Sequence, residues 1–534
     1  MADEKLISII ICDMDGLSQG LLDELAGLEI PDGKQVDVQV IRASRGNLAA
    51  AYNTGMHQSN AKYRFFIDES ARYLHKNLIP QVLRILDEND IGVVGFYGSE
   101  MPLDGIFTKS KRRFGRYAQY EKSSPDKGEV ILGENPLWIQ KVHCLDGRFL
   151  AVSKDIAWDE MINDNFAAAA LCMRYRKAGY KSVVPMQDIP WMIFGGPSFY
   201  LLQNGNPNFM VEAKQFFEKY RDTIQPLVSI LIPTYNQPRF FEKALQSALL
   251  QDYTNIEIVI GDDSTNKETK QLMEKKYLNR YPDIRYFYHG APLGGHGVKN
   301  IEFILEHANG EYISFLFHDD IYYPTKIRRM VACYEEDLSD KLGLITSARN
   351  EIDENDVVIG RCNVWQPLTD TVLSNEQVAD GIFSKNANFI GELTTVLLRK
   401  KFLKQDIGEQ SHRIGIYCGV LDTELADVST FLEMCRTGRS CLFLSDTLSA
   451  FRRHSEQNTG RFDVVLGALM EWLDYIVLSW LNNVYVYSKE QLIRYLKIWY
   501  PWAAVEFSKA LQLHIGKPVP QTIEWCKPVF DAME

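Results

Sequence analysis

The sequence predicts an α/β protein that contains two similar domains in tandem, followed by a helical segment. Two apolar runs that each end in a polar turn, KLISIIICDMDG (5–16) and PLVSILIPTYNQ (226–237), lie 221 residues apart when Ser8 is aligned with Ser229. After each run, apolar strands alternate with helical segments, which is the pattern of a parallel sheet covered by helices. The length of 534 residues also favours several domains, since a typical domain has roughly 150 residues.

The later strands occupy matching places in the two halves. VDVQVI (36–41) and IEIVIG (256–261) are the second strands, and YRFFIDES (63–70) and YISFLFHDD (312–320) contain the third. Their continuous apolar runs are typical of strands buried on both faces. We therefore place one domain at residues 1–222 and the next at residues 223–460, with a short helix that ends near Pro226 at the joint.

The strand–helix alternation stops near residue 460. VVLGALMEWLDYIVLSWLNN and SKEQLIRYLKIWYPWAAVEF have helical periodicity and many Trp and Tyr residues, so residues 461–534 are predicted to be a helical C-terminal segment. The simplest interpretation is that its aromatic side chains fill a core. An acceptor-binding or dimer surface is the alternative, which leaves a homo-oligomer open.

Charge and cysteine usage restrict the partners and the compartment. There are 58 Lys and Arg against 70 Asp and Glu, a net charge of −12, which disfavours nucleic acid and anionic lipid surfaces as partners. The nine cysteines are dispersed without a CxxC pair, which indicates free thiols in a reducing compartment. The longest late apolar stretch is interrupted by Glu471 and Asp474, so we expect no membrane span. Without a recognisable signal peptide, we expect the cytoplasm.

The strongest chemical signal is at the predicted carboxyl ends of the strands in the second half. Ligands collect at this edge of a doubly wound sheet. Three polar groups follow the three strands there: Thr234-Tyr235-Asn236, Asp262-Asp263-Ser264 and His318-Asp319-Asp320. Carboxylates at such an edge can hold Mg²⁺ or Mn²⁺, which bridges the oxygens of a diphosphate and neutralises its charge. An acidic protein can therefore still bind a small anionic ligand.

The same segments, taken in order, resemble family 2 glycosyltransferases of the GT-A fold. The match runs from VSILIPTYNQPRFFEKALQSALLQDYTNIEIVIGDDST through GHGVKN to YISFLFHDDIYYP, and continues in FIGELTTVLLRK (389–400), ADVSTFLEMCRTG (426–438) and LSAFRRHSEQNTG (448–460). The resemblance implies two tandem GT-A domains, a nucleotide-diphospho-sugar donor, with a UDP-sugar favoured, and a glycan or protein acceptor.

The resemblance also assigns roles to residues. The nucleotide-sugar pocket would contain Pro233, Thr234, Tyr235, Asn236, Asp262, Asp263, Lys299, Asn300 and His318. Lys299 departs from the Arg that the family usually has before the Asn, which keeps the charge but loses the planar fork. The metal, Mn²⁺ or Mg²⁺, would be held by Asp319 or Asp320, depending on the register of the DxD-like motif, and by His454. Counting back from Pro324 favours Asp319.

In the same family pattern, Asp427 is the general base that takes the proton of the acceptor hydroxyl. Attack on the opposite face of the sugar would then invert the anomeric configuration. Glu424 is the alternative base, and Glu392 is expected to contact the acceptor. For Asp427 the competing interpretation is a helix N-cap, and for His454 it is an ordinary loop histidine.

The first half resembles the glycosyltransferase-like domain associated with streptomycin biosynthesis, but its chemistry is depleted. Arg42-Ala43 stands where the second half has its acid pair, and the metal position becomes Ser70. Ala167 to Ala170 replace the acids of the late helix. One interpretation is a non-catalytic module that binds acceptor or glycan, or forms a subunit interface. The other is an active transferase that uses Asp68, Glu69 or Asp159-Glu160, which would make the chain bifunctional.

We therefore expect an inverting, metal-dependent glycosyltransferase. One rival is a wholly non-catalytic glycan-binding scaffold, which the retained acids of the second half disfavour. Another is a nucleotidyltransferase, which usually has a Gly-rich loop and a Lys after the first strand. The sequence has PTYNQP at that place.

Overall fold

The computed structural model contains two compact units, Met1–Gln225 and Pro226–Glu534. The structure describes residues 2–14, 16–17, 19–121, 124–195, 207–337, 339–361, 365, 367–407, 410–412, 414–422, 424–457 and 462–513. Each unit is an α/β body with its own sheet, as the sequence predicts. No helix in these ranges is both long and apolar enough to cross a membrane.

The first unit begins with alternating strands and helices and ends with a long helix. Its elements are β1 (Asp3–Asp13), α1 (Gln19–Ala26), β2 (Gln35–Arg42), α2 (Leu48–Gln58), β3 (Ala61–Asp68), β4 (Ala71–Leu74), α3 (Leu78–Leu86), β5 (Ile91–Gly95), β6 (Tyr97–Ser99), β7 (Arg113–Glu121), β8 (Ser124–Leu132), β9 (Ile139–Val142), β10 (Cys144–Leu145), β11 (Phe149–Val152), α4 (Asp164–Lys177), β12 (Lys181–Pro185), β13 (Met192–Gly195) and α5 (Phe209–Ile224).

The main sheet of the first unit has the strand order β2-β1-β3-β11-β5-β12-β9. β1 pairs in parallel with both β2 and β3, and β11 is antiparallel to β3 and β5. A second sheet has the order β10-β6-β7-β13-β4, with β8 paired to β7. The apolar run of β1 is buried from Ile7 to Cys12, as expected of a strand in the middle of a sheet.

The second unit repeats this plan and adds two long helices at its end. Its elements are β14 (Val228–Thr234), α6 (Pro238–Leu249), β15 (Ile256–Asp262), α7 (Glu268–Leu272), β16 (Arg285–Tyr288), α8 (Val298–Glu306), β17 (Tyr312–Phe315), β18 (Ile321–Tyr322), α9 (Lys326–Glu336), β19 (Leu342–Ile352), β20 (Val358–Arg361), β21 (Thr371–Leu373), α10 (Asn375–Lys385), β22 (Leu397–Arg399), β23 (Lys404–Ile407), β24 (Gln410–His412), β25 (Ile416–Tyr417), β26 (Val420–Leu421), α11 (Ala426–Arg436), β27 (Ser440–Arg452), α12 (Phe462–Leu481) and α13 (Lys489–Leu513).

The sheet of the second unit has the order β16-β15-β14-β17-β22-β19-β27-β18. Its stretch β15-β14-β17-β22-β19-β27 matches β2-β1-β3-β11-β5-β12 of the first unit, in both order and strand direction. The duplication read from the two apolar runs is therefore also a duplication of topology. β16 extends the sheet beyond β15 and carries Tyr286, which contacts the site described below.

The two C-terminal helices belong to the second unit. Trp472, Tyr475 and Trp499 are buried and share one hydrophobic core with Leu231 of β14 and Phe431 of α11. These aromatic side chains are therefore core residues, as in the simplest interpretation of the sequence. Cysteines 12, 144, 172, 333, 418, 435 and 441 are free thiols, and all of them except Cys418 are buried.

Candidate active site

The polar groups that follow the first strands of the second unit meet at one edge of its sheet. Thr234 and Asp262 are paired neighbours at the ends of β14 and β15. β17 is parallel to β14 and ends at Phe315, just before the turn that carries Asp319 and Asp320. Parallel strands bring their carboxyl ends to the same edge, so the three predicted groups are together.

Asn236 ties the first of these groups to the second. Its backbone adopts a left-handed conformation (φ 51°), which Asn tolerates better than most residues. The side-chain Oδ1 accepts hydrogen bonds from the backbone N–H of Thr265 at 3.1 Å and of Asn266 at 3.4 Å. Its own backbone N–H donates to Ser264 Oγ at 2.8 Å. The preceding Tyr235 follows Pro233 and Thr234 and is 45% exposed, which leaves its ring accessible for stacking against a ligand.

The two aspartates after β15 differ in what they can offer a ligand. Asp262 is buried, and its carboxylate accepts hydrogen bonds from Ser264 N–H at 2.9 Å and from the Tyr286 hydroxyl. Asp263 accepts from Leu293 N–H at 3.2 Å through Oδ2, while its buried Oδ1 has no hydrogen-bond partner among the described residues. Burial and the charge of Asp262 raise the pKa of Asp263. Asp263 is therefore the acid with an acceptor oxygen still available.

Lys299 and Asn300 begin helix α8 and have different environments. Asn300 is buried, and its Nδ2 donates to the carbonyl of Gly261 at 2.9 Å. A Cβ at position 261 would lie 2.0 Å from Asn300 Oδ1, so this close approach requires glycine. Lys299 is exposed. Asn300 therefore joins helix α8 to strand β15, while Lys299 is the side chain that can reach a ligand.

Asp319 and His454 form the pair that the resemblance assigns to the metal. His454 Nε2 lies 3.1 Å from Asp319 Oδ2, and the ring packs against Phe240 with centroids 4.9 Å apart. The backbone N–H of Glu456 donates to His454 Nδ1 at 3.3 Å, so in this arrangement Nε2 carries the proton and donates to Asp319. Burial alone would raise the pKa of Asp319, but the hydrogen bond from His454 and the half-buried His318 lower it overall.

Asp320 is turned into the protein instead. Its side chain is buried, and Oδ1 accepts from the backbone N–H of Arg452 at 3.2 Å. Burial, followed by the charges of Asp319 and Glu392, raises the pKa of Asp320 far above its ordinary value. Of the two aspartates, Asp319 is the one that is 19% exposed and paired with His454. Asp319 is therefore the more accessible of the two carboxylates, and its assignment to the metal position stays a prediction.

Arg452, which sequence reasoning did not single out, holds this turn in place. It is fully buried, and its Nε donates to the carbonyl of Asp319 at 2.8 Å. Its Nη1 donates to the carbonyl of Asp353 at 2.8 Å, and its Nη2 forms an ion pair with Asp356 at 2.6 Å. The guanidinium also lies over the ring of Phe240. An arginine two residues before the candidate His was the signal in the sequence.

A metal at this place would have two protein ligands and need others. Within the part of the chain that the structure describes, no three or more His, Cys, Asp or Glu side chains are grouped to hold an ion. One carboxylate and one imidazole fit Mn²⁺ or Mg²⁺ when diphosphate oxygens and water complete the coordination. Asp319 and His454 are therefore the residues that would hold the metal together with the donor.

Asp427 lies in the first turn of helix α11, which begins at Ala426 with Leu425 at the N-cap. It is therefore not the N-cap itself. Its Oδ2 accepts from Asn388 Nδ2 at 2.6 Å, and its Oδ1 accepts from the backbone N–H of Val428 at 2.8 Å. Burial raises the pKa of Asp427 to about 7, and the charge of Glu392 adds to the effect of burial.

Glu392 is close enough to the candidate base and to the buried acid of the turn for its charge to raise the pKa of both Asp427 and Asp320. Its Oε1 accepts from Arg349 Nη2 at 2.5 Å. Its Oε2 is buried and has no hydrogen-bond partner among the described residues. Glu392 can therefore still accept a hydrogen bond from a hydroxyl group of a ligand.

Glu424, the alternative base, is already paired. Its Oε1 lies 2.5 Å from Nδ1 of His296, and its side chain is largely buried. His296 is in a glycine-rich loop and has a left-handed backbone (φ 49°). The Glu424 carboxylate is thus paired with a histidine of this loop. The Asp427 carboxylate instead accepts hydrogen bonds from a neutral amide and a backbone N–H.

The equivalent edge of the first unit has different residues. Counted from the shared strand register, Arg42 stands at the position of Asp262, and Ser70 stands at that of Asp319. Arg42 Nη1 forms an ion pair with Asp13 Oδ2 at 2.6 Å. The depletion expected from the sequence is therefore present at the equivalent positions of the fold.

The remaining acids at this edge bind neighbouring groups of the first unit. Asp68 Oδ1 accepts from the backbone N–H of Ser70 at 2.8 Å and from its hydroxyl, and Glu69 accepts from the backbone N–H of Met14. Asp164 accepts from the backbone N–H groups of residues 46 and 48 at the start of helix α2, at 2.6 Å and 3.0 Å. These carboxylates hold turns and a helix end.

Asp159 and Glu160 are also engaged. Asp159 is buried and binds Lys219 Nζ at 2.7 Å and the hydroxyl of Tyr220 at 2.5 Å, both on helix α5. Burial alone would raise the pKa of Asp159, but these two hydrogen bonds lower it overall. Glu160 accepts from Asn53 Nδ2 at 2.7 Å. Both acids therefore connect segments of the first unit to one another.

Comparison with known families assigns both halves. Residues 8–220 match the family model described as "Glycosyltransferase like family", and residues 229–378 match "Glycosyl transferase family 2". The finer likeness of the first half to the domain associated with streptomycin biosynthesis stays a prediction.

Each of the curated relatives below matches this chain over a stretch of 97 to 144 residues. An uncharacterized glycosyltransferase of Rickettsia conorii is 41% identical over 135 residues, which is 24% of this chain and 20% of the relative. A GalNAc(5)-diNAcBac-PP-undecaprenol beta-1,3-glucosyltransferase of Campylobacter jejuni is 35% identical over 97 residues, 18% of this chain and 30% of the relative. The chain spans 37% of an uncharacterized glycosyltransferase of Rickettsia typhi.

Among solved structures, residues 1–349 of S. aureus TarS in complex with UDP-GlcNAc align with a TM-score of 0.38 at 15% identity, over 57% of this chain and 79% of that one. The assignment rests on the two family models, which together cover 363 of the 534 residues. The chain is a tandem of two glycosyltransferase domains of the family 2 type.

Proposed function

We propose that the second unit transfers a sugar from a nucleotide-diphospho-sugar to an acceptor hydroxyl, with inversion at the anomeric carbon. The observation that carries this proposal is Asp427, a partly buried carboxylate with a pKa near 7 in the first turn of helix α11, and the charge of Glu392 acts both on Asp427 and on Asp320 of the turn after β17. General bases work best when their pKa lies close to the working pH. Burial gives Asp427 this property without a catalytic partner such as histidine.

In the proposed step, Asp427 takes the proton of the acceptor hydroxyl while the hydroxyl oxygen forms a bond to the anomeric carbon. The bond between that carbon and the diphosphate oxygen breaks on the opposite face, and its electron pair leaves with the diphosphate. Glu392, whose Oε2 can still accept a hydrogen bond, would hold another hydroxyl of the acceptor. The acceptor is therefore fixed by two carboxylates with different tasks.

The donor side is supported by residues with unused hydrogen-bonding atoms. Asp263 Oδ1 and Thr234 Oγ1 are buried and without a hydrogen-bond partner among the described residues, and the exposed Tyr235 ring can stack on the base. Asp319 and His454 would hold Mn²⁺ or Mg²⁺. Such an ion, when bound, neutralises charge on the leaving diphosphate. A UDP-sugar is the favoured donor, and the cytoplasm expected from the sequence is the proposed location.

We further propose that the first unit does not catalyse transfer. This proposal is supported by the acidic residues of the first unit. Asp13, Asp68 and Asp159 each accept a hydrogen bond from another group of that unit, so these carboxylates serve its internal structure. A role in binding glycan or acceptor, or in forming a subunit interface, follows. The relative that acts on an undecaprenol-linked glycan as a β-1,3-glucosyltransferase supports a glycan acceptor as the first class to test.

The test is a screen of UDP-, GDP- and dTDP-sugars with Mn²⁺, read by thermal shift and by product formation with glycan acceptors. The preferred donor should raise the melting temperature most, because a ligand at concentration [L] stabilises the folded protein by RT ln(1 + [L]/Kd). Product NMR should then show an anomeric configuration opposite to that of the donor. If no nucleotide sugar is bound or turned over, the proposed function is wrong, and retention of configuration would refute the inverting mechanism alone.

A further inference from the structure

Asn388 is held so that its side chain can point in only one direction. Its Oδ1 accepts from the backbone N–H groups of Ile390 at 3.2 Å and Gly391 at 3.1 Å. Its Nδ2 donates to the carbonyl of Gly391 at 2.8 Å, and the same Nδ2 donates to Asp427 Oδ2 at 2.6 Å. Rotation of the amide would replace two N–H···O contacts by N–H···N–H contacts, so the turn itself selects the orientation.

The backbone of the loop that carries Asn388 is held by hydrogen bonds from neighbouring elements. The hydroxyl of Thr346 donates to the carbonyl of Ile390 at 2.7 Å, and the buried Lys326 donates through Nζ to the carbonyl of Thr395 at 2.8 Å. These bonds come from β19 and α9 and do not involve the Asn388 side chain. The loop backbone should therefore keep its place when that side chain is shortened.

The same loop brings the group that opposes Asn388. Glu392 acts on Asp427 with a negative charge, which favours the protonated carboxyl, whereas the amide of Asn388 stabilises the ionised form. The buried Tyr475 of helix α12 also interacts with Asp427, whose charge raises the pKa of the tyrosine. Arg349 reduces the effect of Glu392 by pairing with its Oε1.

We propose that Asn388 is the positioning residue for Asp427, because it fixes the direction of the carboxylate and favours its ionised form, which is the form that can take a proton. This inference rests on the proposed function for its catalytic meaning, but the contact between the two side chains does not. Asn388 touches no reacting atom and acts through Asp427. A residue that only completes its own turn would not need the second hydrogen bond of Nδ2.

The experiment measures the titration of Asp427 directly, without turnover. Infrared difference spectra of the full-length protein between pH 5 and pH 9 report the carboxyl band, and D427N identifies the part that belongs to Asp427. N388S is the main variant, because a serine hydroxyl can still accept from the turn N–H groups but is too short to reach Asp427. N388A is a second variant, and N350A, which removes a comparable bond from Asn350 Nδ2 to the Tyr323 hydroxyl, is the matched control.

We expect N388S and N388A to raise the midpoint of the Asp427 titration by about one pH unit, the size expected for loss of a hydrogen bond to a charged group. E392Q should lower the same midpoint, and N350A should leave it unchanged. In transfer assays, the acid limb of the kcat/KM profile should move with the midpoint in N388S, while the KM for the donor stays the same.

An Asp427 midpoint that is the same in N388S, N388A and the unmodified protein would overturn the inference. Shifts of equal sign in N388S and E392Q would also overturn it, because the two side chains must act in opposite directions. If the infrared midpoint moves but no nucleotide sugar is turned over, the positioning contact is supported and the proposed function fails. The two failures are therefore distinguishable.

Discussion

Replacement of Asp427 by asparagine should make the protein more stable at high pH and remove its activity at the same time. The pKa of Asp427 is raised from 3.8 to about 7, mainly by burial. Between these two values the folded protein keeps the proton that the unfolded chain releases, so folding stability falls as the pH rises through this window. The amide side chain of the D427N variant cannot ionise, and the variant therefore escapes this loss.

The size of the effect follows from the pKa. A carboxyl group with a pKa of 3.8 in the unfolded chain and about 7 in the folded protein lowers the free energy of unfolding by about 2 kcal/mol at pH 5 and about 4 kcal/mol at pH 8. The new amide faces the Nδ2 of Asn388, and this mismatch costs about 1–2 kcal/mol at either pH. The difference in unfolding free energy between D427N and the unmodified protein should thus shift by about 2–3 kcal/mol in favour of D427N from pH 5 to pH 8.

Urea unfolding at pH 5 and pH 8, followed by tryptophan fluorescence, measures this shift, and comparison of the two pH values cancels the amide mismatch. D422N is the matched control, because burial and the charges of Glu471 and Asp474 also raise the pKa of Asp422 to about 7. Both variants should gain stability at pH 8, but only D427N should lose transfer. A D427N protein whose relative stability is the same at both pH values would refute the assigned protonation behaviour.

Three further outcomes follow from the structure. D319N and H454A should each raise the Mn²⁺ concentration needed for half-maximal transfer at least about tenfold. An unchanged Mn²⁺ concentration in both variants would show that the metal binds at another place. D68A should leave transfer unchanged in the same assay, and loss of a distinct transfer step would make the first unit catalytic. Burial lowers the pKa of Lys326 from 10.5 to about 7, so stability rises with pH across that window. K326M should therefore stabilise the protein by about 3 kcal/mol more at pH 7 than at pH 10 in urea unfolding, and equal effects at both would contradict a neutral lysine.

Much of the fold could be predicted because buried strands leave a plain pattern. The apolar runs that contain Ser8 and Ser229 lie in central strands of two sheets with the same order. The register of those strands brings Asp262 and Asp319 to one edge of the sheet, and this register can be predicted by counting residues along each strand. Helical periodicity in the last segment likewise identified two helices whose aromatic side chains are in the core.

The sequence was less informative about which polar atoms are used inside the protein. Asp262 and Asp263 are adjacent aspartates that the sequence alone does not distinguish. The structure distinguishes them, because Tyr286 donates to Asp262 while Leu293 N–H binds only Oδ2 of Asp263 and leaves its Oδ1 without a partner among the described residues. The same holds for Asp319 and Asp320, whose motif can be aligned in two registers. Strand periodicity reports which face is buried, but it does not report hydrogen-bond partners from distant segments.

Asn388 and Arg452 act through contacts with distant segments, and these contacts could not be predicted for the same reason. Asn388 is 39 residues before Asp427 in the chain, and no spacing rule connects a loop amide to a later helix. Arg452 is two residues before His454 in the chain, but this spacing does not reveal that Arg452 is fully buried and binds the carbonyl of Asp319. Both residues act by supporting a candidate site residue, and such support becomes visible only in three dimensions.

The most direct test of the proposed chemistry is the rate of sugar transfer by D427N and D422N, measured beside the unmodified protein with the same donor, acceptor and Mn²⁺ concentration. We expect D422N to keep its activity, while D427N binds the donor normally but loses about 10²- to 10⁴-fold in kcat, the usual contribution of a general base. Transfer by D427N at the rate of the unmodified protein would contradict the central claim that Asp427 is the base of an active second domain.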